Sequence, residues 1–158
     1  MLFRVLVVLR SIKYLCTMAE EFTQETWPKD RYPNFGFSEF CCTHTGKCVM
    51  DEGLLEKLQQ IRWALGSPLT VTSGYRDPSH PIEAAKIAAG GPGGAHTTGK
   101  AVDIACDREF AFQVLSAAIK AGFTGIGIKQ SGSGRFLHLD TIGPEDNFHV
   151  PRPTIWSY

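Results

Sequence analysis

Apolar residues recur at three- and four-residue steps after Asp51, where Leu54, Leu55, Leu58, Ile61 and Leu65 form one stripe. That spacing predicts a helix from Asp51 to Leu65, terminated by Gly66 and Pro68. A second stripe, Phe110, Val114, Ala118 and Ile119, predicts a helix from Arg108 to Ala121 with Asp107 as its cap and Gly122 as its stop. Other segments carry a period of two. "PLTVTSGYR" reads as a strand with β-branched residues at 70 to 72 and a turn at Ser73-Gly74, so that Arg76 emerges at its end. "KAVDIA" puts Val102 and Ile104 on one side and Ala101, Asp103 and Ala105 on the other, which turns Asp103 away from the aliphatic side. "FTGIGIKQ" and "GRFLHLDTI" read as two strands joined by "SGSG", and in the second Phe136, His138 and Asp140 share a face.

The rest of the chain has no sustained period. Residues 19 to 50 are rich in prolines, aromatic residues and turn formers, and are expected to wrap the domain as an irregular arm. The segment "DPSHPIEAAKIAAGGPGGAH" has loop composition around a short alanine-rich piece, and the tail after Asp146 reads as an irregular closing strap. These elements predict one α+β domain, a small central antiparallel sheet with flanking helices, over residues 35–158, preceded by an N-terminal extension over 1–34.

Composition narrows the partners. A chain of 158 residues suits one domain, and sixteen basic against sixteen acidic residues leave no net field to attract a polyanion, so no nucleic-acid partner is expected. The five cysteines (Cys16, Cys41, Cys42, Cys48 and Cys106) are odd in number and irregular in spacing, as reduced thiols are; the competing idea is a disulfide-stapled secreted module. "CCTHTGKC" offers Cys41, Cys42, His44 and Cys48 as a second, structural zinc site, against which stand its unusual spacing and the lack of a downstream partner pair. The start, "MLFRVLVVLR", is interrupted by Arg10 and Lys13 before it reaches the form of a signal peptide or the length of a membrane span. Met18 is an alternative start. A monomer is expected.

Candidate chemistry gathers on three residues. His96, Asp103 and His138 lie at or beside predicted strands near glycine-rich turns, and a mixed antiparallel sheet would bring them together. Two imidazoles and one carboxylate suit zinc and leave a fourth tetrahedral position for water, as a catalytic rather than a structural site requires. The spacing of His96 and Asp103 alone is weak, since such pairs are common.

The wider pattern is more specific. "SGYR" at 73 to 76, "HTTGKAVD" at 96 to 103 and "FLHLD" at 136 to 140, in this order, resemble the zinc D-Ala-D-Ala carboxypeptidase family of peptidoglycan peptidases, over roughly residues 35 to 142. The motif His-x-x-Gly-x-Ala-x-Asp is matched by His96, Gly99, Ala101 and Asp103. The resemblance implies a hedgehog/D-Ala-D-Ala carboxypeptidase-like fold, and zinc (Zn2+) held by His96, Asp103 and His138. It also implies a substrate- and oxyanion-binding role for Arg76. One departure stands out. Many relatives carry a general-base Asp or Glu three residues before the last histidine, and here that position is Arg135; Asp140, one pleat from His138, is the nearest replacement.

The implied activity is hydrolysis of an amide bond in the peptidoglycan stem, by a carboxypeptidase or an L-Ala-D-Glu-type endopeptidase. The implied setting is a phage virion, or host cytoplasm with release to the cell wall. The alternative, motivated by Arg135, is a zinc-binding virion or cell-wall-binding protein of the same fold with little catalysis.

Overall fold

The alternation around Asp103 sets the plan of the molecule. In the computed structural model, which describes residues 18–146 and 148–158, Val102 and Ile104 lie in the hydrophobic core while Asp103 faces a cleft. The expectations for residues 1–17, including the start site and the question of a signal peptide, fall outside the described residues.

Two short strands, β1 (Glu20–Phe22) and β2 (Cys48–Met50), pair antiparallel before the first helix, α1 (Glu52–Leu65). The central sheet then forms from β3 (Thr70–Ser73), β4 (Ala101–Ala105), β5 (Gly125–Lys129), β6 (Phe136–Asp140) and β7 (Thr154–Ser157), in the order β3-β4-β6-β5-β7. Two further helices, α2 (Pro81–Ala88) and α3 (Arg108–Ala121), lie between β3 and β4 and between β4 and β5. This is the α+β arrangement that the periodicity predicts.

One face of the sheet carries the core. Leu54, Leu55, Leu58 and Ile61 of α1 and Ala111, Val114 and Ala118 of α3 bury against Val102, Ile104, Ile126, Leu137 and Leu139. The Asp51 carboxylate caps α1 by accepting from Leu54 N–H at 2.9 Å, and Gly66 ends it in the left-handed conformation. The stripe of α3 is phased differently from the expected one: Ile119 is 59% exposed, and Ala111 takes a core position instead. Asp107 stands at the cap of α3 but its side chain makes no capping bond; it pairs with Arg135 at 3.7 Å.

Three stretches without a period turn out to be structured. The alanine-rich piece between Pro81 and Ala88 is α2, begun by His80, whose Nδ1 accepts from Ile82 N–H at 3.3 Å, and by proline at the first helical position. The closing strap ends in β7, which pairs parallel with β5, so that the sheet is antiparallel except along that edge. The N-terminal arm supplies core residues. Trp27 stacks on Phe40 at 5.3 Å between ring centroids and donates from Nε1 to Phe35 O at 3.0 Å, while Phe22 and Tyr32 are buried in the same cluster. Phe22, Trp27 and Tyr32 thus share one core cluster with residues of the helices and the central sheet. An arm anchored by single aromatic residues buries apolar surface without repeating, so periodicity does not reveal it.

The other sheet face is organised as a row. Ser73 pairs with Asp103, Asp103 with His138, His138 with Gly127 and Gly127 with Trp156, one residue from each of five neighbouring strands. A register shift between Val71 and Ser73 brings Ser73 onto that row. Gly127 leaves the gap into which the Trp156 indole settles, since a Cβ there would lie 2.8 Å from the ring.

Two stability measurements check this packing. Trp27→Ala is expected to cost about 3–5 kcal/mol in urea unfolding, the loss typical of a buried aromatic, rather than the near-zero effect of trimming a detached arm. Gly127→Ala is expected to cost about 1–3 kcal/mol by crowding Trp156, whereas Gly36→Ala, whose Cβ would meet only the Glu39 carboxylate at 3.4 Å, stays within about 0.5 kcal/mol of wild type.

Candidate metal centre and active-site cleft

His96 sits in a 3-10 turn (Ala95–Thr98) that Gly99 closes with φ at 74°, and the Gly99 carbonyl accepts from Asp51 N–H at 2.9 Å. A side chain at 99 would meet the Val49 carbonyl at 2.6 Å. The glycine of His-x-x-Gly-x-Ala-x-Asp thus lets the chain turn against β2 and enter β4, and the strand then carries Asp103 onto the cleft face. His138 arrives opposite Asp103 by strand register.

The "SGYR" turn has an equally local cause. Gly74 approaches Phe40 so closely that a Cβ would lie 2.5 Å from the Phe40 Cα. Tyr75 N–H then donates to Phe40 O at 2.9 Å and Arg76 N–H to His96 O at 3.2 Å. Tyr75 is buried and does not line the cleft, whereas Trp156 does.

The three expected ligands are brought together and buried. His96 Nε2 is 3.2 Å from Asp103 Oδ1 and 3.2 Å from His138 Nδ1, and His138 Nδ1 is 3.0 Å from Asp103 Oδ1. The outer nitrogens fix the tautomers. His96 Nδ1 lies 2.7 Å from the Gly74 carbonyl, which only accepts, so Nδ1 carries the proton and Nε2 presents a lone pair. His138 Nε2 lies 3.2 Å from the Asp140 carboxylate and is protonated by the same argument, which turns the lone pair of Nδ1 inward. With both rings neutral in these tautomers, three lone pairs face one another, an arrangement that calls for a cation or a proton between them. Ligands at zinc's usual bond lengths stand about 3.3 Å apart on a tetrahedral edge, close to the observed separations. The residues fit a metal ion of that type.

Electrostatics support the assignment. Burial opposes ionisation of Asp103, but the His138 and His96 rings against it outweigh this and hold the carboxyl well below the usual carboxylate range. Burial lowers the pKa of His96 and so favours the neutral, ligating form. Burial acts the same way on His138, yet the hydrogen bonds to Asp103 and Asp140 raise its pKa overall, so that a proton competes for the place a cation would take.

The remaining groups are engaged. Arg76 Nη2 donates to Asp103 Oδ2 at 3.0 Å and Nε to Ser73 Oγ at 3.0 Å, leaving Asp103 Oδ1 for the metal position. Arg76 is only partly covered and lines the cleft. Asp140 is fully buried: Oδ1 accepts from Arg152 Nε at 2.9 Å, and Oδ2 accepts from Arg152 Nη2 at 2.6 Å and from His138 Nε2. Burial opposes its ionisation, but the bonds from His138 and Arg152 prevail and its pKa is lowered. Arg135 points away from the centre toward Asp107 and the Gly132 carbonyl.

Sequence reasoning missed two residues here. Glu83, on α2, is fully buried and accepts from Gly94 N–H at 2.6 Å and from Lys86 at 3.0 Å, which fastens the glycine-rich loop in front of His96. The signal was the helix-start pattern His80-Pro81 with Glu83 and Lys86 one turn apart. Arg152 lay in the unpatterned strap and carried no signal. The strap also brings His149, with Phe148, to the cleft.

The cleft measures about 620 Å³, with Phe136, Phe148, Trp156 and Tyr158 as aromatic walls and Arg76, Lys86 and Arg152 as cations. Among the described residues no second group of donors is gathered: Cys41, Cys42, Cys48 and Cys106 are free thiols, and the His44 ring lies against His80, 6.1 Å between centroids. Also among the described residues, no helix is long and apolar enough to cross a membrane.

Comparison with known proteins agrees with the geometry. No curated protein and no solved structure matches the chain. The family model described as Peptidase M15 matches residues 33–140, which contain Arg76, all three candidate ligands and Asp140. A match over most of the chain, with the ligand set assembled inside it, makes this protein a member of the peptidase M15 family.

Proposed function

We propose that this protein is a zinc-dependent hydrolase that cuts an amide bond in the peptide stem of bacterial peptidoglycan and serves a phage as a lysis or virion-associated enzyme. The observation that carries the reading is the convergence of His96 Nε2, Asp103 Oδ1 and His138 Nδ1 at the floor of a cleft in an M15 peptidase. The cleft's volume suits a few residues of a peptide, and its aromatic walls with few polar groups are the usual make-up of a ligand site.

Zinc, which His96, Asp103 and His138 would hold, would supply Lewis acidity toward a carbonyl and toward water near neutral pH. The chain's own residues do the rest. Arg76 orients Asp103 and, because a guanidinium has five N–H donors, keeps others free for a substrate carboxylate or a developing oxyanion. Asp140 was expected to take the proton from water. Both of its oxygens are committed, to Arg152 and His138, so its proposed role is to orient His138. Proton acceptance is assigned instead to His149, the imidazole lining the cleft outside the ligand set.

A second reading has its own observation. Among the described residues lining the cleft the carboxylate is that of Asp103, already a ligand, and a protein lacking a working base would bind zinc and the cell wall without cutting it. One experiment separates the readings: zinc content by mass spectrometry together with a digest of purified peptidoglycan. Wild type is expected to hold about one zinc per chain and to release new amine or D-Ala ends, with His96→Ala and His138→Ala losing both. Arg76→Ala and His149→Ala are expected to keep zinc while turnover falls by about 10²–10³ and 10²–10⁴ respectively. Zinc without cleavage in wild type favours the binding protein, and no zinc in wild type defeats both readings.

A further inference from the structure

We infer that Arg152, from the C-terminal strap beyond the family-matched segment, is a positioning residue of the metal centre: its guanidinium fork holds Asp140 so that His138 presents Nδ1 to the metal. The inference rests on the metallopeptidase reading.

A histidine can offer either ring nitrogen to a metal, and the choice follows from what the other nitrogen meets. Behind His138 that partner is Asp140, whose Oδ2 lies 3.2 Å from Nε2. Asp140 is fully buried, and a carboxylate there needs partners that hydrogen-bond both of its oxygens. Arg152, with its side chain 4% exposed, supplies the counter-charge. Its Nε and Nη2 address the two oxygens separately, so the fork sets the carboxylate plane as well as its charge. Gly125 completes the seat, because a Cβ at that position would overlap the Asp140 carboxylate.

Arg152 is itself held in place. Its guanidinium lies 5.3 Å from the Phe148 ring centroid and 5.4 Å from that of Trp156. Trp156 in turn lies 5.2 Å from the His138 ring. The strap is fixed to the sheet by β7, with Thr154 N–H donating to Thr124 O at 2.9 Å and Tyr158 N–H to Ile128 O at 3.1 Å. The path from strap to metal position is thus continuous: β7 places Trp156, Trp156 and Phe148 flank Arg152, Arg152 orients Asp140, and Asp140 orients His138.

The test uses the full chain, comparing wild type with Arg152→Met and Arg152→Lys. Zinc affinity is measured by competition with a chromogenic chelator, folding by circular dichroism, and the His138 Nε2 proton by nitrogen-15 NMR of the zinc-loaded protein. Folded Arg152→Met is expected to bind zinc about 10–100-fold more weakly and to lose the hydrogen-bonded Nε2 proton, with Arg152→Lys, which keeps the charge but not the fork, in between. If Arg152→Met does not fold, Arg152→Lys decides by the same two readouts. Arg135→Met, altering an arginine that faces away from the cleft, should keep wild-type affinity. A merely structural stitch would lower the melting temperature yet leave the affinity of the folded protein within about twofold of wild type, which would overturn the inference alone. Absence of zinc from wild type would overturn the metal reading and the inference with it.

Discussion

Three lone pairs crowded onto one point, from two imidazoles and the Asp103 carboxylate, are the constraint around which this chain is arranged. Left to themselves they repel, and each is held in place by a neighbour on its far side. The Gly74 carbonyl holds His96, Arg76 holds the outer oxygen of Asp103, and Asp140 holds His138. The supporting charges balance: the buried carboxylates of Asp103, Asp140 and Glu83 meet Arg76, Arg152 and Lys86. Buried ions are tolerated when paired and hydrogen-bonded, and here the pairing also leaves the inner donors free for a cation.

The sheet supplies the precision. Antiparallel register puts Asp103 directly opposite His138, and the same row continues through Gly127 to Trp156. Ligands on adjacent strands keep their separation because backbone hydrogen bonds fix it, whereas ligands on loops would not. His96 is the exception, and extra fastening compensates: Glu83 grips the loop at Gly94, and Gly99 anchors its far end to Asp51. The helices serve this arrangement indirectly, covering the opposite face with α1 and α3 so that the cleft face need not be apolar.

What could be read from the sequence was whatever repeats or sits in one compact motif. The alternation in β4 and β6 placed Asp103, His138 and Asp140 on a common face, and "SGYR" with "HTTGKAVD" carried the family resemblance that the match over residues 33–140 bears out. The parts that could not be read depend on contacts distant in sequence. Trp27 anchors an arm with no period, β7 joins the sheet in parallel after a proline-rich segment, and Arg152 reaches Asp140 across twelve residues of that same tail. Asp140 shows how far a local pattern reaches. Facing the site follows from pleating, but the commitment of both oxygens to Arg152 and His138 depends on a partner that no local pattern announces. The helix α2 is a different case: its cap and first-turn proline were present in the sequence and were outweighed by the glycines and prolines around it.

The most direct test of the central claim is crystallographic, an anomalous-scattering map at the zinc absorption edge from crystals grown at neutral pH with zinc. The account predicts one strong peak bounded by His96 Nε2, Asp103 Oδ1 and His138 Nδ1, at about 2.0–2.2 Å from each. An empty centre with zinc on the cysteines of residues 41–48, or a peak bound through His138 Nε2, would contradict it.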